Sequence, residues 1–320
     1  MAPDFKKKIF LVLKFCISML TFVYLFFKIR NFTSTHNFKS IFSGFSKSES
    51  LLLFIILLLF VSNWFFESLK WRKLLHPFEK VNILNSFKAV FGGISVSLLT
   101  PNRIGEIPGR ALFVSDGNKR KSMIAAGIGS ISQSGVTMIL GFTALIILHI
   151  GYNFSPVSPR ISGYMLVLIL IIFLSAGVLF FLSKTGTIKF PEKLKEMFLF
   201  TSQYKRIDII KIQTFSLIRY FIFLVQFLLF LKIFHVHISM MEGFLSISLT
   251  YFIIFITPFL TIAEIGMRGS ASLICIGHFS DNVAGILLAG VSLWMINIMV
   301  PAFIGAVIMI NKKNQKRNLA

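Results

Sequence analysis

Residues 100–110 read Thr-Pro-Asn-Arg-Ile-Gly-Glu-Ile-Pro-Gly-Arg, directly after an apolar run. The stretch brings Pro101, Pro108, Gly105, Gly109, Arg103, Glu106 and Arg110 to a depth where the neighbouring sequence is suited to lipid. Lipid solvates neither an open N–H nor a charge. Broken backbone and ionised side chains therefore persist there only when buried in protein or lining a wet cavity. An echo lies 157 residues on, at Thr257-Pro258, followed by Glu264-Ile265-Gly266-Met267-Arg268-Gly269. Both copies run Thr-Pro, a short spacer, then Glu-Ile-x-x-Arg. Two such interruptions in corresponding halves point to a polar-ligand site between them.

The rest of the chain supports a membrane reading. It has 320 residues, 55% of them hydrophobic, and a mean hydropathy of +0.81. The net charge of +21 would suggest nucleic acid in a soluble chain. Here the cations fall in short loops between apolar runs, which fits positive-inside topology and anionic lipid headgroups, so no nucleic-acid partner is expected. Cys16 and Cys275 both lie in apolar segments and imply neither a disulfide framework nor a metal site.

Taken in order, Lys6-Lys7-Lys8 precede an apolar run at 9–27, long enough to span and read as a retained helix. A polar loop at 31–50 leads to a second span at 51–66. That span ends in Trp64, Glu67, Lys70, Trp71, Arg72 and Lys73, read as an interfacial collar. Residues 82–100 hold only about eleven apolar positions before Pro101, roughly half a hydrocarbon core at 1.5 Å per residue, as in a re-entrant segment. Full spans follow at 123–150, 163–182 and 212–234. Residues 243–258 then go in, the second motif turns, 269–277 return, and 283–310 span last.

Charge decides between eight full spans and six spans with two hairpins. Eight full spans would put the basic loop at 183–211 and the cluster at 103–121 outside, inverting the positive-inside rule. Hairpins that return to their side of entry place nearly every basic cluster in the cytoplasm. The expected fold is an all-α polytopic membrane protein, a single membrane domain over 1–320. It has six spans and two re-entrant hairpins, arranged as an inverted-topology repeat of 1–150 and 163–320. Both termini are expected on the cytoplasmic side of the cell membrane.

Glu106 and Arg110 are four residues apart, as are Glu264 and Arg268, so each pair shares a helix face and can neutralise itself. Each pair either pins its hairpin or contributes to an anion site. Arg103 lacks an acid four residues away and is the cation expected to meet a ligand, with Glu106, Arg110, Glu264 and Arg268 around it. Arginine's planar fork suits phosphate, and helix starts after Gly105 or Gly266 would add N–H donors. Pro101, Gly105, Pro108, Gly109, Pro258, Gly266 and Gly269 shape the turns, and Gly92-Gly93 serve close packing. Arg219 is read as snorkelling to an interface, while Glu67 and Glu242 are read as solvated at span ends. His235 and His237 lack a third ligand, so neither a metal nor a cofactor is expected. No catalytic motif is present, and no enzymatic activity is expected.

At these motifs the chain resembles the flippase-like integral membrane family related to the transmembrane region of lysylphosphatidylglycerol synthases. That family carries a Pro-x-Arg-x-Gly-Glu-x-x-Arg-like motif, matched here by Pro101, Arg103, Gly105, Glu106 and Arg110. The later family motif, Gly-Gly-x-Gly-x-Arg-Glu, is met more loosely by Ala263 to Gly269, with Gly269 where the acid would stand. The resemblance implies movement of a lipid, aminoacylated and glycosylated lipids among the choices, between leaflets. No stretch of these 320 residues is read as the synthases' soluble aminoacyl-transfer domain, so lipid synthesis by this chain is not expected. The expected function is thus flippase-like translocation of an anionic or modified lipid headgroup, polyprenyl-linked lipids included. The alternatives are a non-transporting partner of a lipid- or glycan-modifying enzyme and an intramembrane transferase.

The topology is testable by single-cysteine labelling after replacement of Cys16 and Cys275. Residues 183–211 and 312–317 should label only from the cytoplasm, and residues 235–242 only from outside. Labelling of 183–211 from outside intact cells would sink the hairpin arrangement.

Overall fold

A computed structural model describes residues 47–98, 100, 103–154, 200–257 and 264–317, with side chains to 312. Pro101, Pro258, the first apolar run at 9–27, the run at 163–182 and most of the loop at 183–211 lie outside the described residues.

The described residues are helical, with no strand among them. They form α1 (Lys47–Leu75), α2 (Ile83–Ser97), α3 (Glu106–Ala111), α4 (Lys119–Gly151), α5 (Arg206–Ile233), α6 (Met240–Ile256), α7 (Glu264–Ile276), α8 (Val283–Trp294) and α9 (Val300–Arg317). A π-helical turn, Met295–Met299, joins α8 to α9 without a break. Among the described residues, four stretches are long and apolar enough to cross a membrane: Lys47–Leu75, Asp116–Tyr152, Arg206–Ile233 and Val283–Lys312. At 15 and 17 residues, α2 and α6 reach about 22 and 25 Å, short of a core of about 30 Å.

The spine is an antiparallel pair, α1 against α5. Leu74 accepts from Tyr204 Oη at 2.5 Å, Glu67 pairs with Arg219, and the Ile56 carbonyl accepts from Gln226 at 3.1 Å. Contacts run down one helix as they run up the other. The outer face of α1 presents Leu51, Phe54, Leu57, Leu58, Val61 and Phe65, all exposed. That spacing is a helical stripe of apolar bulk, as a lipid-facing surface requires.

Around the spine, α2 packs on α3 and α9, while α6 packs on α7 and α4. The segments before α2 and after α3 meet: Glu79 accepts from Ser115 Oγ at 2.6 Å and from Asn118 Nδ2 at 2.9 Å. Partial burial raises the Glu79 carboxyl, but the Ser115 and Asn118 donors outweigh it and hold it below the usual range. In the later half, Asn282 Nδ2 donates to the Phe234 and His235 carbonyls at 3.0 and 3.2 Å, joining the segments before α6 and after α7. Each helix pair thus doubles back on itself, and the two close at opposite ends of the spine. The first closes beside Leu75 and Arg206, the second beside Glu49 and His235, which pair at 3.3 Å.

Sequence accounts for these turns. Asn82 caps α2 by accepting from the Asn85 N–H. Ser239 and Glu242 form a reciprocal capping box on α6. Pro108 sits in the first turn of α3, where its missing N–H costs nothing. Gly109 lets α3 lie on α2, since a Cβ there would come within 2.8 Å of Gly93 Cα.

The glycine contacts make opposite predictions at two helical sites. A Cβ on Gly305 would clash with the Phe91 carbonyl oxygen, whereas one on Gly135 meets nothing within 4 Å. Gly305→Ala should lose about 1–3 kcal/mol to overpacking. Gly135→Ala should gain up to about 1 kcal/mol from helix propensity. Thermal unfolding in detergent reads both, and equal shifts would exclude close α2–α9 contact.

Candidate functional site

Asn63, Glu67 and Lys70 fall at i, i+4 and i+7 on α1, one face of the helix. None reaches an interface: they are 0%, 2% and 2% exposed, and Trp71 is fully buried. Of the expected collar, only Arg72 is exposed; the rest of the α1 terminus is taken up by packing on α5 and α2. Glu67 is therefore not a solvated end residue. Its carboxylate accepts from Arg110 Nη2 at 2.6 Å, from Lys70 Nζ at 2.8 Å, and from Arg219 Nη1. Arg219 does not snorkel either. It is 8% exposed, lies 5.6 Å from the Trp64 ring centroid, and donates through Nε to Asn63 Oδ1 at 3.0 Å. Arg110 lies 5.3 Å from the Trp71 ring centroid and also pairs with Glu106. The tryptophans supply π faces to cations withdrawn from water.

The second cluster joins the two motifs. Arg103 grips Glu264 with both edges of its fork, Nη2 to Oε1 at 2.7 Å and Nε to Oε2 at 3.2 Å. Arg268 Nε reaches the same Oε1 at 3.0 Å. Arg103 is thus not a cation without a carboxylate; the partner it lacked at i+4 stands 161 residues away. Its backbone is left-handed, φ 57°, a costly conformation for arginine that the bidentate pair helps to hold. Glu264 is almost wholly buried (1%), while the Arg103 and Arg268 side chains are 27% and 21% exposed. The carboxylate stands behind, and the arginines face open space.

That space is a cavity of about 480 Å³, lined by Arg103, Arg268 and Glu264 with Gln133, Thr137 and Tyr251 among its other walls. A second, of about 290 Å³, shares Arg103, Arg219, Arg268 and Gln133 and adds Glu67, Lys70, Glu106 and Arg110. Together their walls carry five cations (Lys70, Arg103, Arg110, Arg219, Arg268) against three carboxylates (Glu67, Glu106, Glu264), a surplus of two. The indole N–H groups of Trp64 and Trp294, on the second cavity's wall, have no acceptor among the described residues. Such a wall favours an acceptor-rich anion.

The motif's local pairs appear as their spacing implied: Glu106 with Arg110 and Glu264 with Arg268. The helix starts add less. The Gly105 N–H is already given to Thr100 Oγ1 at 2.7 Å, and α7 includes Glu264, two residues before Gly266. Gly92 and Gly93 admit Phe113 and Arg110 against α2, so packing accounts for them. Gly266 and Gly269 are buried on α7. Among the described residues no group of three side chains could hold a metal.

Sequence reasoning missed a polar chain through the core. Asn63 Nδ2 donates to Asn297 Oδ1 at 3.4 Å, and Asn297 Nδ2 to Gln226 Oε1 at 3.0 Å. Gln226 then reaches the Ile56 carbonyl. The π turn carries Asn297, consistent with the association of such turns with sites. A signal was present: amides and charges inside apolar runs mark a site by their cost.

Two substitutions rank these interactions. Glu67→Gln leaves three buried cations without their shared anion and should cost on the order of 3–5 kcal/mol. Glu106→Gln leaves Arg110 its bond to Glu67 and should cost about 1–3 kcal/mol. Thermal unfolding of the purified variants gives the order; a more damaging Glu106→Gln would displace Glu67 from the centre of the network.

The model of one family, the lysylphosphatidylglycerol synthase TM region, matches residues 11–305. No curated protein matches the chain at a significant level, nor does any solved structure. The match covers both motifs and the four apolar spans found among the described residues, the last of them as far as residue 305. The chain is a multi-pass membrane protein and belongs to the lysylphosphatidylglycerol synthase TM region family.

Proposed function

We propose that the chain is a lipid translocase that passes an anionic or modified headgroup through the cavity between two re-entrant motifs. The observation that carries this reading is the pair Arg103 and Arg268, one from each motif, partly exposed to a cavity whose wall holds two more cations than carboxylates. A headgroup phosphate fits there in charge and in hydrogen-bonding capacity. Phe223, Ile254 and Phe255 line the same cavity, and Phe255 is 44% exposed. An apolar rim of this kind lets acyl tails stay in lipid while the headgroup enters.

The architecture we assign is an inverted-topology repeat. Its support is reciprocal packing: α2 on α9 is answered by α6 on α4, and α2 on α3 by α6 on α7, about the antiparallel α1–α5 pair. The Glu79 and Asn282 contacts support return of each hairpin to its own side. The end at which the first hairpin closes carries Arg72, Lys119, Arg120, Lys121, Arg206 and Lys312, which supports its assignment to the cytoplasm. In this reading the halves rock about the spine, and the chain performs no chemistry of its own.

The test is leaflet exchange of a short-chain fluorescent phosphatidylglycerol in phosphatidylethanolamine–phosphatidylglycerol proteoliposomes. Wild-type protein should exchange it. Arg103→Gln should fall to the protein-free background yet melt near the wild-type temperature, because Glu264 keeps Arg268. Arg103→Lys should recover little, since an ammonium cannot reproduce the fork. Full exchange by stable Arg103→Gln protein would remove Arg103 from the mechanism.

A further inference from the structure

The cavity's charge surplus has one adjustable member. Arginine stays protonated at any accessible pH, so Arg103, Arg110, Arg219 and Arg268 are fixed cations. Each of the three carboxylates accepts a hydrogen bond from at least one arginine, a fixed cation, and stands as its counter-charge. Lys70 differs. It is 2% exposed, and the oxygen it meets, Glu67 Oε2, is the one Arg219 also takes. On the cavity wall it shares, α5 contributes Arg219, α3 Arg110 and Glu106, α7 Arg268, α6 Tyr251, the turn before α3 Arg103, and α1 itself Glu67. From α4 come the uncharged Gly129, Ser130 and Gln133, and from α2 the apolar Ile94. Among groups that share one cavity wall, Lys70 alone can shed a positive charge.

We infer that Lys70 is the proton-binding group of the cavity, and that a headgroup bearing two negative charges, a phosphomonoester or a pyrophosphate, binds together with one proton taken up by Lys70. Without a ligand, two surplus charges in a low-dielectric site are costly, and loss of the Lys70 proton to water reduces the surplus to one. Arrival of a dianion reverses the balance. The neutral amine takes a proton from water, becomes the ammonium, and the surplus of two is matched. When the ligand leaves, the proton leaves with it. Release of both on the far side would couple headgroup movement to proton movement. This rests on the cavity reading above, and the experiment separates the two.

Purified wild-type protein and Lys70→Met are titrated calorimetrically at pH 9, where the empty site holds the neutral amine and a phosphomonoester is fully dianionic, in two buffers of different ionisation enthalpy. The probes are sodium sulfate, dihexanoyl phosphatidic acid and dihexanoyl phosphatidylglycerol. Methionine matches the lysine stem, and Glu67 keeps Arg110 and Arg219, so the variant should fold. Wild-type protein should take up about one more proton per bound phosphatidic acid than Lys70→Met; the probe's own ionisation is common to both. It should prefer phosphatidic acid to phosphatidylglycerol about tenfold or more, a preference Lys70→Met should lose. Sulfate does not titrate in this range, so wild-type protein alone tests the coupling even if the variant fails to fold. Its sulfate affinity should strengthen about tenfold per unit fall in pH where Lys70 is neutral when empty and charged when filled. Binding without proton uptake overturns the role of Lys70 and leaves the transport reading standing. Proton-coupled binding of sulfate with none of either lipid keeps Lys70 and overturns lipid as the cargo. No binding of any probe overturns both.

Discussion

One buried carboxylate holds the arrangement together. Glu67 sits on α1 and receives Arg110 from α3, Arg219 from α5 and Lys70 from its own helix. Removed from water, each of those cations would be prohibitively costly alone. Their shared anion allows them to stand at one point, and so fixes where three helices meet. The antiparallel α1–α5 spine, the seating of α3 and the floor of the smaller cavity all depend on it. Net stability is a separate matter, because desolvation offsets much of the attraction in any buried ion pair. The larger effect is on register: α1 cannot slide against α5 without stranding charge.

Arg103 and Glu264 play a different part. They connect the two motifs across 161 residues, and the arginine side of that contact is accessible. A linkage that a ligand can reach is one that a ligand can exchange with. The buried Glu67 network fixes α1, α3 and α5 against one another, while the Arg103–Glu264 bridge joins the two motifs at the edge of the larger cavity. Fully buried and cavity-facing ion pairs thus line two cavities that share Arg103, Arg219 and Arg268.

What the sequence made legible follows the reach of local rules. Among the described residues, apolar run lengths located α2 at Ile83–Ser97 and α4 at Lys119–Gly151 closely, but ended α1 at residue 66 where the helix continues to Leu75. The i, i+4 rule found Glu106–Arg110 and Glu264–Arg268 because both partners lie within one turn. It could not find Arg103–Glu264 or Glu67–Arg219, whose partners meet only after the chain folds. Position in a run proved a poor guide to exposure: Glu67 and Lys70 sit near a helix end and are still buried, because neighbouring helices enclose that end. Their spacing with Asn63, i, i+4 and i+7, was the readable sign that one polar face of α1 turns inward.

The π turn between α8 and α9 has a consequence for how one long helix packs on different neighbours along its length. Before it, α8 packs on α7 and α5; after it, α9 packs on α2. A π turn holds one residue more than an α turn, so every side chain beyond it is rotated by roughly 100° from where a regular helix would aim it. That phase shift points Gly305 at the Phe91 carbonyl while Gly290, on the same helix, packs beside Ser272 and Phe227. The stretch Met295–Met299 therefore works as a fixed angular offset, and its residue count matters more to the fold than most of its side chains do.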